Sequence, residues 1–200
     1  ILHKTLNFTI TLAFPSFVGL VILSKEVLIL AGGQEYVSSA TCLVILAVGM
    51  VFDLVWGNLW GNCVLLPSRK ERQFTIACWI AMLINVIGNY VLIPQFGIVG
   101  AAIATVFSKF MIGIIVIQKR DKNIDMGINA KMIIGPVVGC AVIIAVCILV
   151  KLLGFGTITS TGLSIFLSAF TYGLIMILFK NEIVLEYLDA VKAKVLNYHR

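Results

Sequence analysis

Apolar segments of about 20 residues recur along this chain, and they constrain its fold more than any other feature. A helix of that length crosses a hydrocarbon core of roughly 30 Å. We predict six such spans, at residues 6–24, 37–66, 74–93, 98–118, 132–152 and 161–179. They lack the alternating polar period of barrel strands, and helices satisfy their own backbone hydrogen bonds in lipid. The sequence therefore predicts an all-α integral membrane protein whose residues 1–180 form a six-helix bundle.

Composition and charge agree with a membrane location. Hydrophobic residues make up 60% of the chain and charged residues 12%, and the mean hydropathy is +1.08. The connections that share one side with residue 1 hold most of the basic residues: Lys4, Arg69, Lys70, Arg72, Lys119, Arg120, Lys122, Lys131, Lys180, Lys192, Lys194 and Arg200. The opposite connections hold only Lys25 and Lys151. Because basic residues mark the cytoplasmic side, we predict a multi-pass cytoplasmic-membrane protein with both ends of this chain inside.

The net charge of +6 needs no nucleic-acid partner, because topology accounts for it. The basic runs at residues 68–72 and 119–123 have a second interpretation, as sites for anionic lipid headgroups or an acidic substrate.

The chain begins without methionine and without a cleavable leader, so we expect it to start inside a longer protein. Residues 181–200 place Val184, Leu188, Val191 and Val195 on one stripe, which predicts an amphipathic helix on the inner membrane surface.

Motifs for catalysis are absent from the sequence. The five cysteines contain no C-x-x-C pair, and the two histidines, His3 and His199, lie at the ends of the chain. There is no phosphate-binding loop and no dinucleotide fingerprint. We therefore predict no catalytic residue, no metal and no cofactor. A membrane enzyme of polysaccharide assembly is a weaker alternative, because the predicted outer loops have only about twelve, four and eight residues and few charged groups.

Charged residues inside the spans are the first candidates for function. A charge at bilayer depth costs about 2.5–3.5 kcal/mol. Asp53 lies in the second span, where α-helical counting places Trp56, Trp60 and Val64 on one side. Its carboxylate is either neutral or paired with a base, or it serves as a proton or cation coupling site. Lys109, in the fourth span, either snorkels, pairs with an acid or faces a substrate path.

Two asparagine pairs, each four residues apart, are the second set of candidates. Asn58 and Asn62 share the second span with Asp53, and Asn85 and Asn89 lie in the third. Residues four apart stack on one helix face. Such amides either bond to neighbouring helices, for about 0.6 kcal/mol on average, or line a polar cavity.

Proline and small residues predict helix geometry. Pro94 ends the third span, and residues 95–97 permit an immediate reversal into the fourth. Small residues then recur every four positions and predict a ridge that lets another helix approach: Gly100, Ala104 and Ser108. Pro15 and Pro136 lie inside their spans, where each predicts a kink.

The run NVIGNYVLIPQFGIVGAAIAT, residues 85–105, resembles a segment that recurs in polysaccharide repeat-unit (O-antigen type) flippases of the multidrug/oligosaccharidyl-lipid/polysaccharide exporter superfamily. Residues 57–74, GNLWGNCVLLPSRKERQF, are similar to the helix and short basic loop that precede that segment in the same family. Residues 24–40, SKEVLILAGGQEYVSSA, are similar to the lead into that helix. The resemblance covers roughly residues 6–117.

The resemblance implies a fourteen-helix transporter of which this chain is about the last six helices, partnered by N-terminal helices of the same protein. It implies flipping of a lipid-linked oligosaccharide across the membrane by alternating access. The substrate path would then include Asn58, Asn62, Asn85, Asn89 and Lys109, with Asp53 as the ion-coupling residue. Many members of the family carry an acidic residue at the position of Lys109, so its role is not carried over.

Two alternatives stay open at this level. A cation-coupled multidrug or small-metabolite antiporter of the same superfamily would use Asp53 as its central residue. A structural assembly subunit would tolerate apolar residues in place of Asp53 and the asparagine pairs.

Overall fold

The computed structural model describes residues 2–119, 130–181 and 183–185, and the longer regular elements in those ranges are helices. The α-helices are α1 (Leu2–Ile22), α2 (Ser24–Gly32), α3 (Ala40–Phe52), α4 (Glu71–Lys119), α5 (Ala130–Leu152) and α6 (Thr157–Leu178). A 3₁₀ turn, Gln34–Ser39, joins α2 to α3. Two wider π-helical segments, Asp53–Asn58 and Gly61–Leu65, follow α3.

Five helical stretches in the described residues are long and apolar enough to cross a membrane. The predicted fold class is confirmed: the chain is an all-α membrane protein. The longest stretch, the 49-residue α4, contains both the predicted third and fourth spans. Its two halves, α4a (residues 71–96) and α4b (residues 98–119), meet at Gly97, whose φ of 58° and ψ of −135° are not helical.

The two halves of α4 form a hairpin that depends on small residues. Gly97 takes a positive φ that residues with a Cβ rarely adopt. A Cβ at Gly100 would collide with the carbonyl group of Leu92, and a Cβ at Gly88 would lie 3.0 Å from the Cβ of Ala104. The predicted ridge of small residues is confirmed, because its members are buried along the face of α4b that meets α4a.

Helix α1 contributes Leu6 and Ile10 to the main apolar cluster. The cluster joins α1 to the π-helical region, α4 and the start of α5, and its buried members are Leu6, Ile10, Leu59, Trp60, Val64, Leu65, Ala77, Val116 and Met132. In lipid, helix association of this kind depends on close van der Waals packing rather than on removal of apolar surface from water.

Pro15 lies inside α1, as predicted, and its missing N–H leaves the carbonyl group of Thr11 without its helical donor. The Tyr172 hydroxyl of α6 donates to that carbonyl oxygen over 2.7 Å. A side chain from a neighbouring helix thus replaces the bond that proline removes, which is how membrane helices tolerate internal proline.

Helices α5 and α6 pack closely through two glycines that the sequence analysis did not single out. Gly135 and Gly139 are four residues apart on α5. A Cβ on Gly139 would lie 2.5 Å from the ring of Tyr172, and a Cβ on Gly135 would lie 3.4 Å from Phe179. This spacing is the small-xxx-small pattern of close helix pairs.

Two helix ends carry a basic residue in a left-handed conformation. Arg69 (φ 55°) follows the second π-helical segment, and Lys180 (φ 51°) follows α6. In each case the amide of the next residue donates to the carbonyl oxygen five positions back, over 2.9 Å and 3.0 Å respectively. This is the Schellman arrangement, in which glycine is the usual left-handed residue.

The predicted amphipathic helix at residues 181–200 lies mostly outside the described residues. Asn181 and residues 183–185 are described, and the last three are helical. The basic connection at residues 120–129 also lies outside the described part of the chain.

Candidate functional site

The α4 hairpin brings Asn85 and Asn89 together in one hydrogen-bonded cluster. Asn89 Nδ2 donates to Asn85 Oδ1 over 2.9 Å. Asn85 Nδ2 in turn reaches the hydroxyl oxygens of Thr105 and Ser108 on α4b, each at 3.3 Å. The Asn85–Asn89 pair therefore makes hydrogen bonds to a neighbouring helix, which is the first of the two roles predicted for the asparagine pairs. The carbonyl oxygen of Asn89 is buried without a hydrogen-bond partner.

Asp53 and Lys109 form an ion pair between the first π-helical segment and α4b. Lys109 Nζ donates to Asp53 Oδ2 over 2.5 Å. The side chains are 30% and 34% exposed, respectively. An ammonium group and a carboxylate therefore meet inside two membrane-spanning helices, and a face of the pair remains accessible.

Glycines let the backbone around Asp53 approach α4b. A Cβ on Gly57 would lie 3.4 Å from the Cγ2 of Ile112 on α4b. A Cβ on Gly113 would lie 3.2 Å from the Cβ of Trp56. Lys109 and Gly113 are four residues apart and lie on one stripe of α4b. Asp53 contacts that stripe at Lys109, and Trp56 contacts it at Gly113.

Trp56, Trp60 and Val64, which α-helical counting places on one side of the second span, differ in burial. Trp60 and Val64 are buried, whereas Trp56 is 46% exposed. Wider π-helical turns interrupt the α-helix at residues 53–58 and 61–65.

The other predicted pair is described only in part. Asn58 closes the first π-helical segment, but its side chain lies outside what the structure describes. Asn62 lies in the second segment and is exposed. Their place in a substrate path stays a prediction, as does that of Asn85 and Asn89.

Three aromatic rings that are close in sequence to Asp53 or Lys109 pack together. Phe52 contacts Trp56 at a centroid distance of 6.5 Å and Phe110 at 5.3 Å, both edge to face. Phe110 follows Lys109 in sequence and is 39% exposed. Two opposite charges and partly exposed indole and phenyl rings therefore lie on the same two segments of the chain.

A second polar cluster was missed by the sequence analysis. Asn181, just after α6, donates to Asn7 Oδ1 at 3.3 Å and to Thr11 Oγ1 at 3.1 Å. All three residues are buried. Asn7 and Thr11 lie four apart in an apolar helix, and that spacing was the signal available in the sequence.

An apolar cavity of about 360 Å³ lies apart from the ion pair, between α1, α5 and α6. Its lining includes Pro15, Gly19, Ile143, Cys147 and Tyr172 and no charged residue. It suits an apolar group rather than a hydrophilic one.

Chemically, the site offers a carboxylate, an ammonium group and side-chain amides. Among the described residues, no group of three or more histidines, cysteines, aspartates or glutamates is placed to hold a metal ion. When a proton or a cation binds the carboxylate of such a pair, the ammonium group becomes free to bind an anion.

Comparison with known proteins gives two relatives, both archaeal membrane proteins. The chain is 35% identical over 106 residues to an uncharacterized membrane protein of Methanocaldococcus jannaschii, covering 52% of this chain and 20% of the relative. It is 30% identical over 110 residues to a probable low-salt glycan biosynthesis flippase of Haloferax volcanii, covering 54% of this chain and 22% of the relative. The matched regions thus span about a fifth of each relative's length. No protein-family model and no solved structure matches the chain.

Proposed function

We propose that this chain is part of a transporter that moves lipid-linked glycan precursors across the cytoplasmic membrane by alternating access. The similarity to a probable glycan biosynthesis flippase supports this class of substrate. The finer form of the proposal is the flipping of polysaccharide repeat units of the O-antigen type. The six predicted spans would act with further helices of a longer protein, with both ends of this chain in the cytoplasm.

The observation that carries the proposal is the partly exposed ion pair of Asp53 and Lys109. A charged group that faces hydrocarbon costs about 2.5–3.5 kcal/mol even on the lenient insertion scale. A partly exposed pair at this depth is therefore stable beside water or other polar groups. A hydrophilic path next to α4b supplies such a surrounding, and a glycan that crosses the bilayer needs such a path.

Within this proposal, Lys109 binds the phosphate groups of the substrate. Asp53 controls whether the Lys109 ammonium group is free to bind them. While Asp53 is ionised it neutralises Lys109 at 2.5 Å. A proton or metal cation on the carboxylate releases the ammonium group toward phosphate, which couples an ion gradient to substrate binding. Asn58, Asn62, Asn85 and Asn89 supply amides for sugar hydroxyl groups along the path.

Complementation tests the proposal. The full-length parent gene is expressed in a strain that lacks its own glycan flippase, and surface polysaccharide is quantified. We expect wild type to restore polysaccharide and the variants Asp53→Asn and Lys109→Gln to lower it by at least tenfold at equal membrane abundance. Gly162→Ala, at a position with open space around it, is the matched control. Absence of restoration despite a supplied cognate glycan would contradict the proposal.

A second candidate is a cation-coupled antiporter for drugs or small metabolites. Asp53 favours it, because a carboxylate with a displaceable partner is what a coupling site needs. Proton-driven efflux of organic cations from everted vesicles, lost in Asp53→Asn, would support this function in place of glycan transport.

A further inference from the structure

Trp56 is an unusual residue for its depth in the membrane. Tryptophan in membrane proteins is enriched at the two interfaces. Trp56 instead lies inside the long second span, Gln34–Leu65, and 46% of it is exposed. Its neighbour in the same span, Trp60, is only 3% exposed and belongs to the core.

The position of Trp56 is fixed by its contacts. Its backbone lies against Gly113, where an added Cβ would sit 3.2 Å from the Trp56 Cβ and 3.6 Å from its carbonyl carbon. Phe52 packs edge to face on the indole, with an interplanar angle of 69°. Phe110 in turn holds Phe52 at 87°. A held ring of this kind loses little conformational freedom when a ligand stacks on it.

Trp56 packs on the same stripe of α4b as the ion pair. Lys109 and Gly113 lie one turn apart on one stripe of α4b, and they contact Asp53 and Trp56 respectively. The charged pair is not stable against hydrocarbon and needs a hydrophilic surrounding, and Trp56 packs one turn from it on the same stripe.

The ligand chemistry follows from this combination. A sugar ring has an apolar face of C–H groups and a rim of hydroxyl groups. The indole face stacks on the apolar face, and the Asp53 carboxylate accepts charge-assisted hydrogen bonds from the hydroxyl groups, which leaves Lys109 to the phosphate. A prenyl chain would gain nothing from the ion pair, and the uncharged cavity beside Pro15 suits it better.

We propose that Trp56, held by Phe52 and Phe110, is a stacking platform for a sugar ring of the transported glycan, and that Asp53 accepts hydrogen bonds from the hydroxyl groups of that ring while Lys109 binds the phosphate. The platform rests on the proposed glycan transport and adds to it a place where the saccharide is recognised.

Binding to the purified full-length parent protein tests the platform with two probes. One is farnesyl pyrophosphate, and the other is the same lipid carrying N-acetylglucosamine on its pyrophosphate. We expect Trp56→Ala to lower affinity for the sugar-bearing probe by about tenfold, with affinity for the sugar-free probe unchanged. We expect Trp56→Phe to keep affinity within about threefold, because the phenyl face still stacks.

Trp79→Ala is the matched control, since Trp79 is 59% exposed on α4a and belongs to none of these contacts. Unchanged binding of the sugar-free probe also shows that the Trp56 variant is folded. Equal losses for both probes, or no loss for either, would overturn the platform while glycan transport stands. Failure of the wild-type protein to bind either probe would overturn the proposed function and the platform with it.

Discussion

At the scale of single residues, the pairing of Asp53 with Lys109 is the feature on which the site depends. The two residues are 56 positions apart and belong to different helices. Removing one partner of a pair leaves the other as an uncompensated charge, and removing both leaves two neutral groups of similar size. Single and double substitutions therefore separate the structural value of the pair from its role in transport.

We expect Asp53→Asn and Lys109→Gln each to lower the free energy of unfolding by about 1–3 kcal/mol, less than for a fully buried pair because about a third of each side chain is exposed. The double variant should recover most of that loss and still fail in transport. Thermal unfolding in detergent and the complementation assay measure the two effects. Recovery of transport in the double variant would mean that the pair serves stability alone.

A second residue-scale prediction concerns the carbonyl group that Pro15 leaves free. Tyr172→Phe removes the hydroxyl donor to Thr11 and should cost about 0.6–1.7 kcal/mol. In a Pro15→Ala background the helix regains its own donor, so the same substitution should cost less. A double-mutant cycle on the unfolding midpoint measures the difference. Equal costs in both backgrounds would show that the hydroxyl group does not replace the missing bond.

At the scale of elements, sequence predicted the parts that depend on local spacing. Hydropathy predicted the spans, and Pro94 with Gly97 predicted the hairpin that α4 forms. The π-helical turns were not predictable, because a wider turn carries no composition signal of its own. Pairing of Asp53 with a base was one of the alternatives that the sequence left open. The identity of the partner of Asp53 and the contacts of Asn181 were not predictable, since they depend on how helices distant in sequence rotate against each other.

The contact of α5 with α6 gives a prediction for that pair of elements. Gly139→Val places a branched side chain where the Tyr172 ring lies 2.5 Å from an added Cβ. We expect a loss of about 1–3 kcal/mol from overpacking, seen as a lower unfolding midpoint in detergent. Gly162→Val on α6 has open space around it and should change the midpoint little. A similar loss in both variants would point to helix propensity rather than to packing.

At the scale of the whole molecule, polar contacts mark two opposite ends of the bundle. At one end, Lys70 Nζ donates to the backbone carbonyl oxygen of Lys119 over 3.2 Å. At the other, Lys151 Nζ lies 2.7 Å from Glu26 and donates to the carbonyl oxygen of Ile22 over 3.1 Å. The distribution of basic residues predicts that the first end is cytoplasmic.

Cysteine labelling of the full-length protein, in a background without other cysteines, tests this orientation. We expect a membrane-impermeant thiol reagent to label Lys151→Cys on intact cells and to label Arg69→Cys only after permeabilisation. Both positions lie at helix ends, and labelling of both after lysis is the control. The reverse order on intact cells would invert the topology.

The left-handed helix ends at Arg69 and Lys180 connect this topology to how the protein is made. Glycine would relieve about 1–2 kcal/mol of backbone strain at such a position. It would also remove a positive charge next to a span, which the insertion machinery reads before any helix has packed. If the proposed orientation holds, these two residues accept a less stable final backbone in exchange for correct threading of the nascent chain during synthesis.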